Sequence, residues 1–440
     1  MSNLFRKYSD LLFPLLIFSP GLRGLGSIYY LLLGIGILFS LPLFLKTYVN
    51  IFKTKLSALL IIYYLITLLG IVPSFNEYNP SDIILSIIRL SLFIIFIFYT
   101  NGCKVENPYS LKVVKCYLII TFIASTFIFL QYYTGPIDIF SEQFSTRAGL
   151  PRYSTLSGST NIFSVSVAFS ILMSTFCYHK INFINTNLKL FIYQIFILLA
   201  ALANLSRSGL IASIFAFLFC RFYIYLIKIN PNFTTQFYKL PLKYKYIKTK
   251  ISFLNLTIFS LISVTILSQY KLVYRFIKTT IYFITGNKNL IMSYSNATFE
   301  NTSILSDLLK RFNWFSPEFF DSLIYHPQNI LFGGGSKYFG GTIGLPRGYS
   351  HNMFIDVFQA QGIFGIIFFL FLLIILFSNS TNTSLNKIKA SLDLRSISLV
   401  SLFFLLCTHN SGILFHPLTI FPLFYIQDFT NEKNFIKLKT

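Results

Sequence analysis

Residues 187–228 read NLKLFIYQIFILLAALANLSRSGLIASIFAFLFCRFYIYLIK, and the fold turns on them. They hold two apolar runs, 187–204 and 209–228, each close to the length a helix needs to cross a hydrocarbon core of about 30 Å. Only a short polar break containing Ser206-Arg207-Ser208 separates them. The same alternation continues in both directions. Candidate spans at 11–20, 27–45, 57–73, 83–100, 113–133 and 160–178 come before it, and 251–268, 353–378, 397–408 and 412–427 come after. With 54% apolar residues, 11% charged residues and a mean hydropathy of +0.66, the chain is not a soluble globular domain. The expected architecture is an all-α integral membrane protein of about twelve transmembrane helices.

A formal charge of +22 would suggest a nucleic-acid partner in a soluble chain. Here the basic residues follow the loops instead. With the N-terminus taken as cytoplasmic, the inner segments carry Arg6, Lys7, Lys46, Lys53, Lys55, Lys104, Lys112, Lys115, Lys180, Lys189, the run from Arg221 to Lys250, and Lys387, Lys389, Arg395, Lys433, Lys437 and Lys439. The short outer loops hold only Arg23, Arg147, Arg152 and Arg207. The positive-inside rule then predicts both termini on the cytoplasmic side and no nucleic-acid partner. The apolar run after Arg6-Lys7 ends in Ser19-Pro20-Gly21 without a small-x-small pattern, so it is expected to remain as an anchor. Cys103, Cys116, Cys177 and Cys220 fall at the inner face and Cys407 near the outer one, so no outer disulfide is expected.

Only one loop is long, 269–352, on the outer side. Lys271, Arg275 and Lys278 open it with the spacing of an amphipathic helix lying on the outer leaflet. A polar Asn/Ser-rich stretch follows, and then a glycine-rich stretch, 333–348, leading into Ser350-His351-Asn352. No Gly-Lys-Ser/Thr follows those glycines, so they are not a P-loop. The inner loop 229–250 reads as a solvated basic segment against anionic lipid.

In this register the even-numbered helices enter from outside, which turns their N-termini, with unpaired N–H groups and a positive dipole end, toward that compartment. Three such mouths are polar: Ser157-Gly158-Ser159-Thr160-Asn161 behind Arg147 and Arg152, Ser206-Arg207-Ser208-Gly209, and Ser350-His351-Asn352. A cation at a helix start opposes the macrodipole unless an anion sits between them, and a phosphate fits that place. The bland alternative is that these arginines snorkel to lipid headgroups. Arg207 is a candidate catalytic group, and Arg152, Asn161, Ser206, Ser208, Arg347 and Asn352 are candidate substrate contacts. His351, with Asn352 and Asp356 nearby in sequence, is placed to accept a proton from a sugar hydroxyl near neutral pH. Arg89 is the basic residue set well inside a span and is left unassigned. There is no D-x-D, no H-E-x-x-H and no outer Cys/His pair at ligand spacing, so neither a metal nor any other cofactor is expected.

Two signatures resemble the O-antigen ligase and polymerase superfamily of membrane glycosyltransferases. One is Ser206-Arg207-Ser208-Gly209 at the start of a mid-chain helix. The other is His351-Asn352 followed by Gly362-Ile363-Phe364-Gly365, after a long outer loop with Gly333-Gly334-Gly335. A weaker third runs from Arg152 through Gly158 to Asn161. The resemblance divides the chain into N-terminal helices 1–146, a family-like core 147–378 that includes loop 269–352, and C-terminal helices with a cytoplasmic tail, 379–440. It implies a GT-C-like fold in the bacterial inner membrane, with a long periplasmic loop. The implied reaction is a metal-independent, inverting transfer from a polyprenyl-pyrophosphate-linked glycan at the periplasmic face. By position Arg275 matches the family's long-loop arginine, with Arg311 and Arg347 competing for that role.

The expected activity is polymerisation of lipid-linked oligosaccharide repeats for a surface polysaccharide or O-antigen. The alternatives are ligation to lipid A–core, transfer to protein, and a glycolipid flippase or other transporter. Transporters place ionisable residues and broken helices near the membrane midplane, whereas here the polar groups gather at the outer mouths. Partners are accordingly the lipid-linked glycan, membrane lipids, and a glycan or lipid A–core acceptor.

Overall fold

A computed structural model describes residues 34, 38, 55–69, 79–81, 83–84, 87, 108–140, 145–147, 150–157, 159–204, 206–229, 324, 326–334, 352–382, 391–392 and 394–407. In chain order the elements are α1 (Lys55–Leu69), α2 (Pro108–Thr134), β1 (Ser145–Arg147), β2 (Leu150–Arg152), α3 (Thr160–Cys177), α4 (Asn187–Ala203), α5 (Arg207–Ile229), the helical turn α6 (Asn329–Phe332), α7 (Met353–Ser380), β3 (Thr381–Asn382), β4 (Ser391–Leu392) and α8 (Leu394–Cys407). The predicted spans 57–73, 113–133, 160–178, 187–204, 209–228 and 397–408 correspond to α1, α2, α3, α4, α5 and α8. Those at 11–20, 27–45, 83–100, 251–268 and 412–427 lie outside the described residues, apart from isolated positions. By length and composition alone, Val114–Thr134, Thr160–Cys177 and Met353–Ile375 are long and apolar enough to cross a membrane, although the last is broken at Gly362. The described chain is thus mostly helical, of the kind an all-α membrane protein requires. The two antiparallel hairpins, Ser145–Arg147 with Leu150–Arg152 and Thr381–Asn382 with Ser391–Leu392, were not expected.

α3 is the hub, packed against α2, α4, α5 and α8. Ser159 caps it by accepting from the Ile162 amide at 3.2 Å. Its buried hydroxyls are satisfied within the helix: Ser166 donates to the Phe163 carbonyl at 2.6 Å, and Thr175 to that of Ile171 at 3.0 Å. Others tie it to neighbours, as when Ser170 donates to Thr121 of α2 at 2.9 Å. Where lipid surrounds a bundle, helix association gains little from hydrophobicity and relies on close packing and such bonds. α4 shows the corresponding inversion. Leu188, Phe191, Ile192 and Leu199 point outward, whereas Gln194 is fully buried and donates to Thr175 at 2.7 Å.

The α3–α5 contact depends on small residues, Gly209, Ala212, Ser213, Ala216 and Cys220, along one side of α5. Ser213 donates to the Ser164 carbonyl at 3.2 Å, and a Cβ added to Gly209 would overlap the Ser164 side chain. The glycine of Ser206-Arg207-Ser208-Gly209 is therefore a packing residue. Gly209→Val is expected to lower stability by about 1–3 kcal/mol, the usual cost of overpacking. The loss would be read as a lower Tm in detergent and relieved in part by Ser164→Gly.

α7 is not the straight span that 353–378 suggested. Gly362 has φ 65° and ψ −157°, outside any helix, and divides it into a short arm (353–361) and a long arm (363–380). The corner is sharp. The rings of Phe354 and Phe369 lie 5.1 Å apart, whereas a straight helix would separate those positions by about 22 Å. Gly365 lies against the Gln361 and Val357 side chains inside the corner. Of the short arm's residues, Asp356, Gln359 and Gln361 are all buried, and Gln361 donates to Thr67 of α1 at 2.7 Å.

Candidate functional site at three helix ends

The hairpin β1–β2 carries the chain from α2 toward the start of α3, and its end is fastened by groups from α2. Gln131 donates to the Ser154 carbonyl at 2.9 Å. The Tyr132 hydroxyl lies 2.8 Å from the Pro151 carbonyl and also against that of Ala203, joining the hairpin to the end of α4. Tyr132 and Tyr153 meet edge to face at 5.0 Å. Burial pushes the Tyr153 phenol above its ordinary pKa, so it stays neutral at physiological pH.

Arg152, the last residue of β2, lies where α3 starts and α4 ends. Its Nε donates to the Asn204 carbonyl at 3.2 Å. One terminal nitrogen donates to Thr160 Oγ1 at 2.6 Å and to Asn161 Oδ1 at 3.2 Å. Asn204 is the C-cap of α4, so the guanidinium meets the negative end of one helix dipole as well as the positive end of another. That contact gives the cation a structural partner within the protein, which sequence alone did not suggest. Asn204 itself donates to the Thr160 carbonyl at 2.6 Å, closing the link between α4 and α3.

Ser206 precedes α5, and its carbonyl accepts the first helical bond, from Leu210 at 2.8 Å. Its hydroxyl does not turn back along α5 but donates to Asn161 Oδ1 at 3.0 Å. Asn161 Oδ1 therefore accepts from both Ser206 and Arg152, and the N-termini of α3 and α5 are held side by side. Of the residues singled out in the sequence, Arg152, Asn161 and Ser206 are brought together here, and the first residue of α5 is Arg207. The side chains of Arg207 and Ser208 lie outside the described residues, as do His351, Arg275, Arg347, Arg311 and Arg89.

Asn352 is described, and it is buried. Its Oδ1 accepts from the Phe354 amide at 2.9 Å and its carbonyl from the Asp356 amide at 3.0 Å, which makes it the cap of the short arm. Asn204 and Tyr132 are the members of the site that sequence reading missed, while Thr160 lay in the polar mouth at 157–161 without being singled out. Asn204 was the one within reach, a polar residue at the end of an apolar run, directly ahead of Leu205-Ser206-Arg207.

No family model and no curated protein matches this chain.

Proposed function

We propose that this chain is a membrane glycosyltransferase that uses a polyprenyl-pyrophosphate-linked glycan as donor and joins lipid-linked repeats. The observation that carries the reading is the pairing of two helix N-termini, α3 and α5, through Asn161 and Ser206, with Arg152 bonded to the start of α3 and the end of α4, and Arg207 opening α5. Adjacent N-termini supply unpaired amides and positive dipole ends, and arginine supplies bidentate donors, a combination suited to a diphosphate. The resemblance of Ser206-Arg207-Ser208-Gly209 and His351-Asn352 to the O-antigen ligase and polymerase superfamily supports the same chemistry. In this account Arg207 and Arg275 stabilise the charge that develops on the leaving diphosphate as the sugar C1–O bond breaks. His351 takes the proton of the attacking hydroxyl. Ligation to lipid A–core or transfer to protein would use the same donor with another acceptor.

One observation favours a second reading, translocation of a glycolipid. α7 is broken at Gly362, and Asp356, Gln359 and Gln361 are buried beside the break, a pattern common at transporter midplanes. The two readings separate in liposomes loaded with a defined lipid-linked oligosaccharide. A transferase makes a glycosidic bond there, and a flippase moves the lipid without making one. Transfer is expected to persist at full rate in excess EDTA, because the arginines take the place of a divalent cation. A rate that collapses in EDTA and returns with magnesium or manganese would reject that role for them.

A further inference from the structure

The corner of α7 is built together with the turn before it. Gly333 closes α6 with φ 76°, donating to the Asn329 carbonyl at 2.7 Å. The next amide, Gly334, donates to the Gln359 carbonyl at 2.8 Å. In an unbroken helix the acceptor at Gln359 would serve the amide of residue 363. An outside strand of backbone takes that bond instead.

The two glycines allow backbone to meet backbone. A Cβ at Gly333 would overlap the Ala360 carbonyl and the Gln361 amide, and one at Gly362 would overlap the Leu331 carbonyl. Both residues have φ in the left-handed region, which side chains disfavour. Phe332 and Phe364 stack at 5.3 Å across the same junction. Gln361, at the tip of the short arm, is bonded to Thr67 of α1.

We propose that 331–334 is a wedge that sets the angle of the short arm, which makes Gly333 and Gly362 positioning residues for Asn352 and for His351 beside it. Gly333 and Gly334 of the long loop then act by shaping the arm that Asn352 caps. The part of the proposal that concerns catalysis rests on the transferase reading. The wedge itself does not.

The test uses the full chain in a cysteine-free background carrying Thr67→Cys and Gln361→Cys, treated with a short bifunctional thiol reagent. The parent is expected to cross-link, because those side chains touch. Adding Gly333→Val is expected to abolish the cross-link and lower kcat for transfer about a hundredfold, the scale of loss from a displacement near 1 Å, with KM for donor little changed. Should Gly333→Val not fold, Phe332→Ala replaces it, since that ring is 64% exposed and its loss opens only the stack on Phe364. A smaller loss of both signals is then expected. Cross-linking that survives Gly333→Val or Phe332→Ala at the parent level overturns the wedge, whatever happens to transfer. Cross-linking lost with kcat intact overturns the positioning role. A parent that cross-links but makes no glycosidic bond counts against the transferase reading, and the cross-link alone then decides the wedge.

Discussion

Arg207→Ala is expected to lower glycan transfer by about two to three orders of magnitude, the usual cost of removing one preorganised group that stabilises developing charge. His351→Ala is expected to lose about as much, through the missing proton acceptor. Arg207→Ala should not unfold the protein. Position 207 is the first residue of α5, where alanine is a good helix former, and the α3–α5 contact is made further along by Gly209 and Ser213. The check is complementation of glycan chain length in a strain lacking the native gene, with membrane levels of the variant measured in parallel. Full transfer by either variant at normal abundance would remove that residue from the mechanism.

Arg152→Lys is expected to cost both stability and donor binding. An ammonium cannot reproduce the fork that reaches Asn204, Thr160 and Asn161 together, so at least one of those acceptors loses its partner. A hydrogen bond from a charged group contributes about 1.5–3 kcal/mol, and a loss in that range would show as a lower Tm in detergent. The accompanying release of Asn161 should raise KM for the donor, because the acceptor that also receives the Ser206 hydroxyl is then less firmly held. If Arg152→Lys lowers Tm but leaves KM unchanged, Arg152 is a bolt between α3 and α4 and nothing more.

Hydropathy made most of the described helices legible. The starts of α3 and α4 fall where the apolar runs begin, and Ser159 and Thr186 cap them there. Hydropathy is blind to the sign of φ, however, so the apolar stretch 353–378 looked like one span when it is a corner at Gly362. What bends it lies outside its own sequence, in the backbone of 331–334. The hairpin at 145–152 was missed because its strands are three residues each, too short for an alternating pattern. At the site, Arg152, Asn161 and Ser206 were picked out as polar groups at helix mouths. The decisive partner of Arg152 was not, since Asn204 is distant in sequence and becomes adjacent only when α4 packs on α3.

The central claim is that the paired starts of α3 and α5 hold a diphosphate while a sugar is transferred. Its most direct test is purified protein in nanodiscs, given a synthetic polyprenyl-pyrophosphate oligosaccharide and a second lipid-linked repeat as acceptor. The account predicts a longer lipid-linked glycan with inverted anomeric configuration, released polyprenyl pyrophosphate in equal amount, and neither product from Arg207→Ala. Lipid-linked sugar that crosses a bilayer unchanged, or a wild-type yield matched by Arg207→Ala, would contradict it.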